Sequence, residues 1–268
     1  MAILNLHFYS QCLRREVPVT ALIPMDSPVH PKQENASKPL KTLYLLHGYS
    51  GTHTDWINFS RIRELSDRYR IAVIMPSGEN HFYVDDEERG ELYGEYIGSE
   101  LVSFTRKLFP LSDAREETFI GGLSMGGFGA IRNGFKYASV FSRIIALSSA
   151  IIPYKIANME PGFKDGIADY GYYRSVFGDL GCLLGSDKDP EALVKLLKDS
   201  GSELPALYMA CGTEDFLLDV NRRFHEFLIQ EQVGHVYRES PGEHTWAFWN
   251  DKIEEGLKWA LEELPAHP

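Results

Sequence analysis

A serine flanked by glycines, placed between an apolar strand and a helix, constrains this chain more than any other feature. Residues 119–127 read Phe-Ile-Gly-Gly-Leu-Ser-Met-Gly-Gly, which contains G-x-S-x-G centred on Ser124. A β-prone run at 118–120 precedes the motif, and a helix-compatible run at 128–137 follows it. Where a strand turns directly into a helix, the backbones approach so closely that side chains at the flanking glycines would clash. The sequence therefore predicts a sharp corner that presents the Ser124 hydroxyl at a helix N-terminus, where negative charge is favoured.

Short apolar runs alternate with helical patterns along the chain, which predicts an α/β domain. Alternating residues at 3–9 and 17–23 predict an antiparallel pair of strands. Continuous apolar runs predict further strands, buried on both faces, at 42–46, 71–75, 118–121, 144–147, 206–210 and 235–237. Helical patterns occur at 60–69, 96–109, 127–137, 191–198, 220–232 and 247–264. We therefore expect one domain over residues 1–268, with a mostly parallel, twisted sheet and helices on both of its faces.

Two aromatic-rich stretches, at 78–95 and 150–189, interrupt this alternation. Long insertions of this kind in α/β domains are often lids or walls of substrate sites, although self-packed surface loops are the alternative. We predict a lid-like insertion at 150–189. The stretch at 26–41 is rich in Pro, Ser and Lys and predicts an exposed loop.

Composition argues against several classes of function. The net charge of −11 argues, weakly, against nucleic acid and anionic membranes as partners, since both require basic surface. The three cysteines form no disulfide framework, and an odd count favours a reducing compartment. The N-terminus does not resemble a signal peptide, and no run of 18 apolar residues occurs. We therefore expect a cytoplasmic protein. We also expect no metal, because neither H-E-x-x-H nor clustered His/Asp spacing is present.

A serine hydroxyl becomes a useful nucleophile only beside a base, which in turn needs an acid to orient it. His244 lies in a turn-rich loop between the last predicted strand and the final helix, and we predict it to be the base. We predict Asp215, just past the strand at 206–210, to be the acid. Glu214 and Asp219 are the alternatives, although Asp219 can instead cap the following helix. The order Ser124, Asp215, His244 is the order that the α/β-hydrolase fold requires.

Acyl transfer also requires donors for the oxyanion. One donor is predicted to be the backbone N–H of Met125, the residue after the serine. The loop at 46–51 reads Leu-His-Gly-Tyr-Ser-Gly, and the backbone N–H of Tyr49 is predicted to be the second. We expect His47 to pack beneath this loop and to hydrogen-bond its backbone. For substrate contacts the sequence analysis selects the aromatic residues Trp56, Tyr83 and Trp246, with a packed helix start as the alternative for Trp56.

Together, four segments resemble the esterase D group: 45–48, 121–127, 212–216 and 242–246. This group includes S-formylglutathione hydrolases, bacterial tributyrin esterases, and related acetyl-xylan and feruloyl esterases. The chain looks most like the tributyrin esterases, because the loop at 47–51 reads His-Gly-Tyr-Ser-Gly where formylglutathione hydrolases usually read S-G-L-T-C. The resemblance implies a serine esterase without a cofactor, short acyl groups and frequent homo-oligomerisation. It assigns the triad to Ser124, Asp215 and His244, and the oxyanion donors to Tyr49 and Met125.

We therefore expect a serine carboxylesterase that hydrolyses small-molecule esters through an acyl-enzyme on Ser124. The aromatic insertions are compatible with acetyl or feruloyl esters of oligosaccharides, or with a pocket narrowed to acetyl and butyryl groups. The alternatives are an S-formylglutathione hydrolase and an acyltransferase that uses the same triad. A non-catalytic binding relative is disfavoured, since such relatives usually lose a triad member and this chain keeps all three.

Overall fold

The computed structural model describes residues 1–26 and 38–262. Ten strands occur in these residues: β1 (Ala2–Ser10), β2 (Arg15–Ile23), β3 (Lys41–Leu46), β4 (Ile71–Pro76), β5 (Asp85–Asp86), β6 (Glu91–Leu92), β7 (Thr118–Leu123), β8 (Arg143–Leu147), β9 (Ala206–Gly212) and β10 (His235–Ser240). Eight of them form one sheet in the order β1-β2-β4-β3-β7-β8-β9-β10, and the two-residue strands β5 and β6 pair separately. All eight strands predicted from the sequence belong to the large sheet. Most of the predicted loop at 26–41 lies outside the described residues.

The sheet is parallel except around β2, which runs antiparallel to both of its neighbours, β1 and β4. Strand β3 is paired with β4 on one side and with β7 on the other. The chain therefore leaves β3 in one direction and later returns to its opposite side. In open α/β sheets, such a reversal of strand order creates a crevice at the carboxyl ends of the strands. Ser124 directly follows β7, and the loop containing Tyr49 directly follows β3, so both lie at this crevice.

Helices cover both faces of the sheet, as the sequence predicts. They are α1 (Asp55–Phe59), α2 (Ile62–Tyr69), α3 (Tyr93–Glu95), α4 (Leu101–Leu108), α5 (Met125–Lys136), α6 (Pro153–Ile156), α7 (Tyr170–Phe177), α8 (Pro190–Asp199), α9 (Leu218–Gln230) and α10 (Trp246–Leu261). Helices α1, α2 and α10 pack on one face, whereas α4, α5, α8 and α9 pack on the other. In the described ranges, no helix combines the length and the hydrophobicity needed to cross a membrane.

The central strands are apolar throughout because both of their faces contact a core. In β3, Leu43 and Leu45 belong to the core beneath α2 and α10, while Tyr44 and Leu46 belong to the core beneath α5. All four side chains are 0% exposed. The edge strand β1 has only one neighbour, and its residues alternate between partly buried and exposed. A continuous apolar run therefore indicates a strand that is covered on both faces, whereas alternation indicates a strand with one face open to solvent.

The helix predicted at 96–109 begins as a π-helical turn at Tyr96–Glu100 and continues as α4, which ends at Leu108; the short helix α3 directly precedes it. The π-helical turn brings Gly98 against the ring of Tyr137, where an added Cβ atom would lie 2.1 Å from Cδ2. Helices α1 and α6 were not predicted, because four or five residues are too few for a clear helical period. Helix α7, which is as long as α2, lies inside the aromatic-rich stretch at 150–189 and was not predicted either.

A buried cluster of charges attaches α5 to the first aromatic-rich stretch. The Arg132 side chain is 0% exposed and donates to Asp85 at 3.1 Å and also to Asp187. Lys136, one turn later, lies 2.9 Å from Asp85 and 2.6 Å from Asp187. Burial opposes ionisation of Asp85, but the positive charges of Arg132 and Lys136 outweigh it and lower the pKa of this carboxyl. The cluster therefore fixes the 85–95 stretch against the helix that follows Ser124.

We predict that Arg132→Met lowers the free energy of unfolding by about 3 kcal/mol, because it leaves two partly buried carboxylates with only Lys136 as a counter-charge. Urea unfolding followed by circular dichroism measures this loss. The control is Arg63→Met on the exposed surface of α2, which is expected to change stability by less than about 0.5 kcal/mol. Equal effects of the two substitutions would contradict the structural role of the cluster.

Candidate active site

Ser124 occupies the strained corner between β7 and α5. Its backbone has φ 54° and ψ −119°, a conformation that a non-glycine residue adopts only when its surroundings impose it. Its N–H donates to the carbonyl of Leu147 at 2.9 Å, and its own carbonyl accepts from Ala150 at 2.9 Å. A Cβ atom at Gly122 would lie 2.3 Å from the carbonyl oxygen of Gly126. The close approach predicted from G-x-S-x-G is therefore present, and it holds the serine in place from both sides.

The structure brings Ser124, His244 and Asp215 into one chain of hydrogen bonds. His244 Nε2 lies 3.0 Å from Ser124 Oγ, and His244 Nδ1 lies 2.8 Å from Asp215 Oδ2. Because a carboxylate accepts at Nδ1, that nitrogen carries the proton and Nε2 is left to accept the serine proton. The three residues follow β7, β9 and β10, so the carboxyl ends of three strands assemble the arrangement.

Asp215 is held as a carboxylate. Its side chain is 0% exposed, and Oδ1 accepts a second hydrogen bond, from the N–H of Leu217 at 2.9 Å. Burial alone would favour the protonated form, but the bonds from His244 and Leu217 outweigh it and keep the pKa of Asp215 below its ordinary value. A negative charge at this position stabilises the imidazolium that forms when His244 takes a proton.

The two alternative acids are placed elsewhere. Glu214 is exposed, and its Oε2 accepts from the N–H of Gly242 at 2.6 Å, while its own N–H donates to the Gly242 carbonyl at 3.1 Å. Asp219 is exposed in the first turn of α9, whose N-cap is Leu217. The alternative in which Asp219 caps this helix is therefore wrong. Glu214 instead ties the loop that carries Asp215 to the loop that carries His244.

The loop after β3 lies beside Ser124 and contains the predicted oxyanion donor Tyr49. Beneath it, His47 is 1% exposed; Nε2 accepts from the N–H of Gly78 at 2.9 Å, and Nδ1 donates to the Gly48 carbonyl at 2.7 Å. Burial lowers the pKa of His47 below its ordinary value, so the ring is neutral near pH 7. His47 therefore supports the loop backbone, as the sequence predicts.

A second loop, at 78–83, supports the first one from outside. Tyr83 is 0% exposed, and its hydroxyl donates to the His47 carbonyl at 3.0 Å. Asn80 Oδ1 accepts from the N–H of Ser50 at 2.7 Å, and the Asn80 carbonyl accepts from the Tyr172 hydroxyl at 2.5 Å. Asn80 was not predicted as a site residue, because its role depends on loop geometry that no motif encodes.

A cavity of about 400 Å³ opens at Ser124. Tyr49 and Met125 line it beside the serine, and Phe82 contributes from the first aromatic-rich stretch. The segment at 150–189 supplies more of the wall than any other part of the described chain: Ala150, Ile152, Lys155, Asp165, Gly166, Ile167 and Tyr173. Phe216 and Leu217 complete it. The predicted insertion at 150–189 therefore forms the wall of the cavity.

None of the three aromatic residues predicted to contact substrate lines this cavity. Trp56 is 1% exposed; its indole N–H donates to the Leu46 carbonyl at 2.9 Å, and its ring packs edge-on against Trp246 at 5.1 Å. Both tryptophans belong to the core between the sheet and α10. Tyr83 is buried beneath the loop after β3. The structure thus places these side chains in or against the core rather than at the cavity, because chain position alone does not tell which face of the sheet an aromatic side chain joins.

No group of three or more His, Cys, Asp or Glu side chains within residues 1–26 and 38–262 is arranged to hold a metal ion. A larger cavity, of about 750 Å³, is lined partly by other residues of α7 and does not include Ser124. Because Ser124 lines the smaller cavity, its hydroxyl meets a bound molecule there.

Two solved structures with the same fold are hydrolases. The fluorophosphonate-binding serine hydrolase F of Staphylococcus aureus superimposes with a TM-score of 0.85 at 27% identity, over 98% of this chain and 99% of that protein. An S-formylglutathione hydrolase of the same organism superimposes with a TM-score of 0.83 at 28% identity, over 97% and 99% of the two chains. The fold is thus that of the α/β-hydrolases, as predicted, and the class is serine hydrolase.

The sequence comparisons narrow the class further. An acetyl esterase of Caldicellulosiruptor saccharolyticus is 51% identical over 260 residues, which cover 97% of this chain and 98% of that enzyme. The model of the Putative esterase family matches residues 10–260. The chain belongs to this family and is a carboxylic ester hydrolase. The resemblance inferred from the four sequence segments is confirmed.

We predict that Tyr83→Phe slows ester hydrolysis and lowers the free energy of unfolding by about 1–3 kcal/mol, because the His47 carbonyl then lies buried without its hydroxyl donor. The rate falls since that carbonyl belongs to the loop beside Ser124. Initial rates and urea unfolding measure the two effects. The control is Tyr69→Phe, whose hydroxyl makes a partly exposed bond of 3.3 Å to Glu254. A Tyr83→Phe enzyme with unchanged kcat would show that the loop needs no such support.

Proposed function

We propose that this enzyme hydrolyses short-chain acyl esters through an acyl-enzyme on Ser124. The observation that carries the proposal is the continuous hydrogen-bonded chain from Ser124 through His244 to Asp215. In the first half-reaction, Ser124 Oγ attacks the ester carbonyl carbon while its proton moves to His244 Nε2. The tetrahedral intermediate collapses, the bond to the alcohol oxygen breaks, and His244 gives its proton to that oxygen. Asp215 keeps the imidazole in the required tautomer throughout.

The second half-reaction reverses these roles. Water attacks the acyl carbon, and its proton goes to His244; the bond to Ser124 Oγ then breaks, and the serine recovers a proton from His244. In both halves, the developing oxyanion accepts hydrogen bonds from the backbone N–H groups of Tyr49 and Met125. Support for this assignment is that both residues line the cavity with Ser124, and that Met125 begins α5, whose N-terminal dipole favours negative charge.

We propose acetyl and other short acyl groups, including those of tributyrin, as the acyl part of the substrate. A cavity of about 400 Å³ is near the lower end of ligand pockets, which span roughly 300–1,000 Å³. The 51% identical relative is an acetyl esterase. Acetyl or feruloyl esters of oligosaccharides are further candidate substrates.

The second candidate is S-formylglutathione hydrolysis, which the structural likeness to the Staphylococcus aureus enzyme favours. The opening loop, with Tyr49 and Ser50 after Gly48, differs from the pattern usual in those enzymes. An initial-rate panel with p-nitrophenyl acetate, p-nitrophenyl butyrate, tributyrin, methyl ferulate and S-formylglutathione separates the candidates. A rate of ester consumption that rises with an added acceptor alcohol would instead indicate acyltransfer.

We further propose that residues 1–268 act as one domain, which the single sheet running from Ala2 to Ser240 supports. The segment at 150–189 is proposed to act as a lid, since it forms much of the cavity wall. A cytoplasmic location and assembly into homo-oligomers are also proposed. The free state of Cys12, Cys182 and Cys211 supports the location, because it suits a reducing compartment.

We predict that Ser124→Ala lowers kcat on p-nitrophenyl acetate by about 10⁴-fold or more, because no other group forms the acyl-enzyme. Initial rates measure the loss, and circular dichroism checks that the fold is retained. Ser200→Ala, at an exposed serine after α8, is the matched control and is expected to keep wild-type rates. A Ser124→Ala enzyme with rates near wild type would refute the mechanism.

We predict that Asp215→Asn folds normally but lowers kcat by about 10³–10⁴-fold, since the amide no longer enforces the reactive imidazole tautomer. Glu214→Gln and Asp219→Asn test the alternative acids in the same rate assay. Glu214→Gln is expected to lower kcat by about 10-fold or less, because it weakens the contact between the two loops. Asp219→Asn is expected to leave kcat almost unchanged. If either lowers kcat more than Asp215→Asn does, Asp215 is not the acid.

A further inference from the structure

Two large apolar side chains of the catalytic cavity are exposed. Phe216 is 60% exposed and Ile167 is 51% exposed, and both line the cavity that contains Ser124. An exposed apolar surface contributes the free energy of burial only when something covers it. Within the described residues, most of the Phe216 side chain stays uncovered, so the cavity presents a flat apolar surface to whatever binds there.

The position of Phe216 shows which part of a substrate would meet it. Its ring centroid lies 4.6 Å from that of the His244 imidazole, with 50° between the ring planes. To protonate the leaving oxygen, His244 Nε2 must come within about 2.6–3.2 Å of it. The alcohol attached to that oxygen therefore lies on the His244 side of Ser124, where Phe216 is the exposed aromatic surface.

The fold does not depend on the Phe216 ring. The neighbouring residues on both sides fix the loop: Asp215 is 5% exposed and accepts the N–H of Leu217, and Leu217 is itself 6% exposed and part of the core. Phe216 lies between them with its ring directed into the cavity and to solvent. A large aromatic side chain in such a position gains most when a ligand packs on its face.

We infer that Phe216 binds the leaving alcohol and favours alcohols with a flat apolar face, namely an aryl ring or the C–H face of a sugar ring. The inference rests on the proposed function, because it takes His244 as the proton donor to the alcohol. Lys155 lines the same cavity, and its ammonium group can donate hydrogen bonds to hydroxyl groups on such a ring. Phe216 thereby sets selectivity for the alcohol, whereas the acyl group is selected elsewhere in the cavity.

The test compares kcat/KM of wild type and Phe216→Ala on three acetates that differ only in the alcohol: ethyl acetate, phenyl acetate and an acetylated methyl pyranoside. We expect the preference for at least one ring acetate over ethyl acetate to fall about 10-fold in the variant, the loss of one stacking contact. Phe216→Trp is expected to retain the preference. The control is Ile229→Ala, which removes an apolar side chain of similar exposure, 56%, on α9 away from the cavity.

If the preference for phenyl acetate over ethyl acetate falls in the variant, the preferred alcohol is an aryl alcohol. If the preference for the acetylated pyranoside falls, the preferred alcohol is a sugar. An equal loss on all three acetates would overturn the inference, because Phe216 would then act only by orienting His244. A changed ratio of ethyl butyrate to ethyl acetate, with the alcohol preference intact, would place the ring on the acyl side and also overturn it. Hydrolysis of ethyl acetate by wild type, lost in Ser124→Ala, tests the proposed function separately; its failure would overturn both.

Discussion

The close approach of three backbone segments at the amino end of α5 is the constraint on which this site depends. An added Cβ atom at Gly126 would lie 2.5 Å from the carbonyl oxygens of both Leu46 and His47. The end of β3 therefore lies directly against the first turn of α5, with the Ser124 corner beside it. Because this contact is between backbones, it fixes the loop of Tyr49 and the nucleophile relative to one another without relying on flexible side chains. Preorganisation of this kind is what electrostatic stabilisation of an oxyanion requires.

Support for the site then extends outward in layers. His47 holds its own loop from beneath, Tyr83 and Asn80 hold that loop from the side, and Tyr172 of α7 reaches Asn80. The wall at 150–189 is thus connected to the loop after β3 through hydrogen bonds as well as through the shared cavity. Asn80 bonds both Tyr172 and the backbone N–H of Ser50, the residue after Tyr49, so the position of α7 is linked to that of the loop beside Ser124.

Much of this arrangement was predictable from the sequence. The eight strands and the corner at Ser124 follow patterns that local physics imposes, such as the apolar period of buried strands and close packing at glycines. The choice of Asp215 and His244 rested in addition on the order in which the α/β-hydrolase fold carries its acid and base along the chain. The positions of Trp56 and Trp246 were not predictable, because the packing of α10 decides which side of the sheet these side chains join. That packing is a contact between distant parts of the chain. Phe216 was passed over for a similar reason: a phenylalanine beside an acid carries no sign that its ring is exposed.

The strand order makes the placement of His244 depend on the pairing of one edge strand. Its loop follows β10, an edge strand that is also the last strand in the chain and pairs only with β9. Until β10 pairs with β9, the loop of His244 is not held beside Ser124, and the serine lacks the base proposed to take its proton. The reactivity of Ser124 thus depends on one edge strand far from it in the chain, and a polypeptide in which β10 is unpaired is expected to carry an inert serine.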